Sequence, residues 1–96
     1  MFNSSLNNSV KTRPDLTSAI DISSTTYNVV QSGFVAFKSG SITNDYTTGQ
    51  INGIVVSFLG SSGYQQLLRA GFYRVISGDT VTVANGKIIF YGEQYL

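Results

Sequence analysis

The sequence predicts an all-β protein, an antiparallel β-sandwich of jelly-roll type with about eight short strands, with a small barrel as the alternative closure. Three observations carry this. Apolar residues alternate with a period of two over short runs. Asn-Gly dipeptides stand at Asn52-Gly53 and Asn85-Gly86, and such pairs supply the positive φ angles of a two-residue hairpin turn. Turn residues punctuate the chain too closely for helices of ordinary length.

The elements follow in order. Residues 1–15 read as a polar N-terminal arm. Phe2, Leu6 and Val10 share a helical spacing, but the Asn and Ser between them compete for backbone hydrogen bonds. The arm is either disordered or docks on a neighbouring subunit or a larger assembly. Arg13-Pro14-Asp15 breaks regular structure, Asp15 caps the turn after Pro14, and the β-sandwich domain runs over residues 16–96. Leu16 to Ser23 alternates as a first strand, and Thr26 to Gln31 is a second. Phe34 to Lys38 is apolar on both faces, which predicts a central strand covered on both sides. Tyr46 to Leu59 forms a hairpin about Asn52-Gly53, with Ile51 opposite Ile54, Gly49 opposite Val56 and Thr47 opposite Phe58. Tyr64 to Ala70 fits a helical turn or a strand.

The C-terminal stretch from Gly71 to Gly92 reads as three strands joined by turns at Ser77-Gly78-Asp79 and Asn85-Gly86. In the second hairpin Val83 lies opposite Ile88 and Val81 opposite Phe90 on a core face. Thr82 with Ile89, and Thr80 with Tyr91, fall on the other. That second face mixes threonines with large apolar side chains, which a solvated face would not choose. In the preceding strand Tyr73 and Val75 point one way, and Phe72, Arg74 and Ile76 the other. An arginine in an apolar strand either snorkels to solvent or is paired at an interface. Phe72, Arg74, Ile76, Ile89 and Tyr91 are therefore the predicted oligomer interface, with Asp79 or Glu93 of a neighbouring subunit as the partner of Arg74.

Composition narrows the function classes. The 96 residues suit one domain, with 11% charged residues against a typical ~25% and a net charge of +1. Lys11, Arg13, Lys38, Arg69, Arg74 and Lys87 are scattered, so no nucleic-acid patch is expected. No apolar run is long enough for a membrane-spanning helix, and no membrane insertion is expected. With no Cys and no His, disulfides and the commonest transition-metal ligands are absent. A core this small then looks to oligomerisation for further burial. The N-terminus has no basic region followed by an apolar core, so synthesis in a cytoplasm without a secretory signal is expected.

Few residues offer catalysis. Nucleophilic triads need His or Cys, and the carboxylates are Asp15, Asp21, Asp45, Asp79 and Glu93, of which Asp79 is expected to bond within its own turn. No enzymatic role and no cofactor are expected. Binding is better supplied: Asp45, Tyr46, Tyr64, Gln65 and Gln66 cluster at two loops, where aromatic rings and neutral amides suit a carbohydrate or protein surface. Equally, both tyrosines can pack against strand ends.

Arg13-Pro14-Asp15 entering an Ile-rich strand, Ser32-Gly33-Phe34-Val35, Ile51-Asn52-Gly53, Ser77-Gly78-Asp79-Thr80-Val81 and Ile88-Ile89-Phe90-Tyr91 together resemble a group of short proteins encoded among bacteriophage tail and virion genes. The likeness runs along nearly the whole chain in short motifs. Such proteins resemble the jelly-roll tips and knobs of phage fibres, which are generally homotrimers and often contact host receptors. The resemblance implies a non-enzymatic virion component, a tail fibre, tail tip or capsid decoration protein. It also implies a homotrimer, attached to other virion proteins through the arm and contacting a host surface glycan or protein. The chain departs from a full fibre in having no shaft: residues 1–15 cannot hold several heptads. A monomeric carbohydrate-binding β-sandwich module is the alternative.

Overall fold

Asp15 sets the first departure from simple alternation. In the computed structural model, which describes residues 11–39, 46–59, 67–69 and 71–96, its carboxylate accepts from the Thr17 N–H at 3.1 Å and the Thr17 hydroxyl at 2.7 Å. That capping winds Leu16–Ser18 into a single 3-10 turn. The predicted strand from Leu16 therefore begins only at Ile20, and Leu16 is left 67% exposed. The Thr12–Pro14 end of the predicted arm belongs to the fold.

The strands are β1 (Thr12–Pro14), β2 (Ile20–Ile22), β3 (Thr26–Asn28), β4 (Gly33–Ser39), β5 (Thr47–Ile51), β6 (Ile54–Leu59), β7 (Leu67–Arg69), β8 (Tyr73–Val75), β9 (Thr80–Ala84), β10 (Gly86–Tyr91) and β11 (Glu93–Tyr95). The segment left open between helix and strand thus contains β7. All pairings are antiparallel and form an all-β sandwich. The front sheet has the order β2-β10-β4-β8 and the back sheet β3-β9-β5-β6-β7, while β1 and β11 form a separate ribbon. The chain changes sheet at almost every step: β2 front, β3 back, β4 front, β5 to β7 back, β8 front, β9 back, β10 front.

Both turns of the C-terminal stretch are therefore crossings between sheets. The expected hairpin pairing of Val83 with Ile88 and Val81 with Phe90 is not formed, nor is that of Thr82 with Ile89 and Thr80 with Tyr91. Strand β9 pairs with β3 and β5, and β10 with β2 and β4. Asn85 takes a left-handed φ of 64°, but Gly86 does not take the second positive φ that a two-residue hairpin turn of this type needs. The buried Thr47 hydroxyl donates to the Asn85 carbonyl at 2.6 Å and ties the crossing to β5.

The core residues remain those the alternation selects. Val35, Val75, Ile88 and Phe90 come from the front sheet and Val81 and Val83 from the back, all buried, with Val29 beside them and Tyr73 packed against the cluster. Side chains that would have shared one face of a hairpin face each other across the sandwich. Tyr27 of the back sheet meets Phe90 of the front with ring centroids 5.5 Å apart. Each fully buried aliphatic contributes about 1.5–3 kcal/mol over leaving it exposed.

Asn52-Gly53 does make the predicted hairpin, with φ of 52° and 82° and Ile51 opposite Ile54. A bulge then slips the register by one residue, so Gly49 faces Ser57 and Thr48 faces Phe58, in place of Gly49 with Val56 and Thr47 with Phe58. The cause is steric. The Phe37 ring lies where any side chain at Gly49 would be, and the slip sets the small Ser57 inward and turns Phe58 outward.

Candidate functional site

The two outer faces of the sandwich have opposite chemistry, and each candidate residue can be placed on one of them. In the front sheet Ile88 pairs with Phe37 and Ile22, and Phe90 with Val35, on the core side. The period of two then turns Ile89 and Tyr91 of β10, Phe34 and Ala36 of β4, and Arg74 of β8 outward. Ile89 lies opposite Ala36, Tyr91 opposite Phe34, and Phe34 opposite Arg74. Phe72, 47% exposed, meets Tyr91 edge to face at a centroid distance of 5.0 Å. Ile76, at the end of β8, is 54% exposed. Arg74 of β8 and Ile89 and Tyr91 of β10 thus lie on one side of one sheet with Phe72 against Tyr91, while Ile76 follows β8 into the Asp79 turn.

Phe34 and Ala36 belong to the same face, although a doubly apolar strand pointed only to burial. Strand β4 is interior, with β10 and β8 on its flanks, and its core side is buried at Val35. Its outer side is only half-buried, partly beneath Arg74, whose guanidinium carbon lies 5.6 Å from the Phe34 ring centroid. Arg74 also donates to Thr12 at 2.8 Å and to Glu93 at 3.1 Å. Within the chain it thus pairs with Glu93. The pairing of Arg74 with Thr12 and Glu93 brings both strands of the β1–β11 ribbon to β8. The Arg74 side chain is half exposed, so this ion pair contributes at most about 1 kcal/mol. It anchors the ribbon to β8, and the Arg13–Gln94 hydrogen bond of 2.8 Å joins the ribbon's two strands.

Of the predicted ligand loops, Asp45, Tyr64, Gln65 and Gln66 lie outside the described residues. Tyr46 is exposed, and its ring tilts against Phe58 at 4.7 Å, on the outer side of the back sheet. It thus packs against a strand end and still presents an aromatic surface.

Asp79 braces one end of the sandwich. Its Oδ2 accepts from the Ile76 N–H at 2.9 Å and its Oδ1 from the Asn52 amide at 3.0 Å, while Asn52 Oδ1 accepts from the Thr80 N–H at 2.9 Å. The expected bond within its own turn is present, and Asn52 links that turn to the β5–β6 hairpin. The Ile76 N–H first, and the Asn52 amide second, hold the Asp79 carboxyl below its ordinary value of 3.8, against a smaller upward push from burial. A pKa depressed by folding stabilises the protein above the unfolded value, and that contribution is lost as pH falls through the folded value. Thermal melts of wild type should thus lose Tm below a pH of about 4. Asp79→Asn should lower Tm at pH 7 and flatten this acid limb; equal acid slopes in the two proteins would show that Asp79 is not the group responsible.

Among the described residues no group of three or more acidic side chains lies close enough to hold a metal ion, and no helix is long and apolar enough to cross a membrane. Searches against protein-family models, curated proteins and solved structures give no match to this chain.

Proposed function

We propose that the chain is a non-enzymatic structural protein of a bacteriophage virion, a tail fibre, tail tip or capsid decoration component. In this proposal it is a jelly roll that assembles as a homotrimer through the outer face of the front sheet and contacts the host surface. The observation that carries the assembly is that face: Phe72 stands about half exposed against Tyr91, on the side of the sheet where Phe34 and Ile89 also point outward. A contiguous apolar surface of this kind on a small domain marks a contact site. Its rims favour a second copy. Lys38 and Lys87 lie directly opposite each other, an unfavourable like-charge pair, while Asp21 sits opposite Ile89 at the other edge, and none of the three makes an ion pair among the described residues. A neighbouring copy can bring the unlike charges together.

The jelly-roll reading is supported by the strand orders, β2-β10-β4-β8 against β3-β9-β5-β6, with the chain alternating between the sheets. The virion reading rests on the motif resemblance, and its gene is expected to lie among tail or capsid genes. Native mass spectrometry at micromolar concentration is expected to give the mass of three chains. A monomer at that concentration would overturn the assembly and favour the second reading, a monomeric carbohydrate-binding module, for which the exposed Tyr46 ring speaks.

A further inference from the structure

The outer face of the back sheet lies away from the proposed assembly face, and its composition is unusual for a solvated sheet. Strands β3, β5, β6 and β9 contain no Asp, Glu, Lys or Arg, and the one charged residue in the strands of the sheet, Arg69, lies on the β7 edge opposite Phe58. Val81, Val83, Gly49 and Thr47 face the core, so the period of two turns Thr26, Thr82, Gln50 and Thr48 outward. The register sets Thr26, Thr82 and Gln50 side by side across three neighbouring strands. Thr80 and Asn28 form the next row on one side, joined by a 3.4 Å hydrogen bond. On the other side Thr48 lies opposite Phe58, and the Tyr46 ring rests on Phe58. Rows of this kind stand about 4.8 Å apart across strands and about 6.8 Å along them. Among the described residues the side chains of Thr26, Thr48, Gln50 and Thr82 form no hydrogen bond to another protein group, so their donors and acceptors point to whatever lies above the sheet.

We infer that this face is a binding surface for a neutral polysaccharide. A polyol presents many hydroxyls and no charge, so it can exchange water for threonine hydroxyls and the Gln50 amide without desolvating an ion. The apolar C–H face of a sugar ring suits the exposed aromatic surface of Tyr46. A charged ligand finds no counter-ion on these strands, and the apolar side chains of the face, Val55 opposite Gln50 and Phe58 beside Tyr46, are interleaved with hydroxyls and an amide rather than gathered into the single patch a protein anchor needs. The site differs from the Asp45, Tyr64, Gln65 and Gln66 loops: it is a flat sheet surface, of which Tyr46 forms only the rim. It rests on the proposed function only in supposing that the surface serves host contact, and it requires no trimer.

The test is affinity gel electrophoresis of the full chain in gels cast with dextran, mannan, galactan or β-glucan, with polygalacturonate as the anionic control. At least one neutral polysaccharide should retard the wild type, and Thr82→Glu and Gln50→Glu should each weaken that retardation by about tenfold or more by placing an unpaired carboxylate against the ligand. Both substitutions are outward-facing, and a Tm within a few degrees of wild type establishes that the variants are folded. No retardation by any neutral polysaccharide, retardation by polygalacturonate alone, or unchanged retardation in both folded variants would overturn the inference. Native mass spectrometry on the same samples separates the two proposals: a monomer that binds removes the trimer and keeps this site, and a trimer that does not bind does the reverse.

Discussion

Gly86→Val is expected to cost at least about 3 kcal/mol, the upper end of what overpacking usually costs, and to lower Tm by more than about 12 °C. A domain of this size has about 5–14 kcal/mol in total, so the variant sits near the threshold for folding. Gly86 needs no special backbone angle. It is glycine because the crossing from β9 to β10 presses it against the Lys38 carbonyl oxygen and the Thr47 side chain, and any Cβ would occupy the same space. Lys38 is the β4 residue next to the Gly86–Ser39 pair, so relief would break the central contact of the front sheet. Thr47 cannot give way either, because its buried hydroxyl holds the Asn85 carbonyl. Adding Thr47→Ala removes the clashing methyl but also the hydroxyl that holds the Asn85 carbonyl, and the Lys38 carbonyl still bars a Cβ, so it should not restore Gly86→Val to wild-type stability. Ala84→Val, two residues earlier on an exposed position, should stay within about 0.5 kcal/mol of wild type. Urea or thermal unfolding of the four proteins checks the order; a Gly86→Val protein as stable as Ala84→Val would show that Gly86 is not pressed against Lys38 and Thr47.

The same crossing shows how far the fold was legible in the sequence. Period-two alternation identified Val75, Val81, Val83, Ile88 and Phe90 as core correctly, because inward-facing residues are the same whether two strands are neighbours or face each other. Topology was not legible for that very reason. Asn-Gly opens a hairpin only when both residues take positive φ, and Asn85 does so while Gly86 does not; the deciding contacts, with Lys38 and Thr47, are long-range. The mixed outer face was the available signal. Threonines beside Ile89 and Tyr91 made a poor solvated face and a poor core face, and the conflict disappears once Thr80 and Thr82 lie on one sheet and Ile89 and Tyr91 on the other. The slip at Gly49 was equally hidden, since it depends on a ring from the opposite sheet. Local chemistry fared best: Asp15 as a cap and Asp79 within its turn depend on near neighbours in the chain.

This separation of faces makes the double variant Ile89→Ser with Tyr91→Ser the sharpest test of assembly. Both side chains leave the front sheet on the side away from the core, so their loss creates no cavity between the sheets. Within one chain the change removes the edge-to-face contact between Tyr91 and Phe72, worth about 0.5–1.5 kcal/mol, and the partial burial of Ile89. The protein should stay folded, with an unchanged far-UV circular dichroism spectrum and a Tm lower by several degrees. An interface of ordinary size depends on a few central anchors, and truncating an anchor costs about 2 kcal/mol or more, so removing two from each copy should weaken association by a thousandfold or more. Native mass spectrometry should then find single chains at concentrations where the proposed trimer of wild type forms. The control lies at the end of the sandwich braced by Asp79 and Asn52, where Val30 and Ile54 are exposed. Val30→Ser with Ile54→Ser removes exposed apolar surface without touching the front sheet, and should leave the proposed trimer intact. If that pair dissociates the protein and the front-sheet pair does not, the copies meet at the sandwich end, and the aromatic face has another partner.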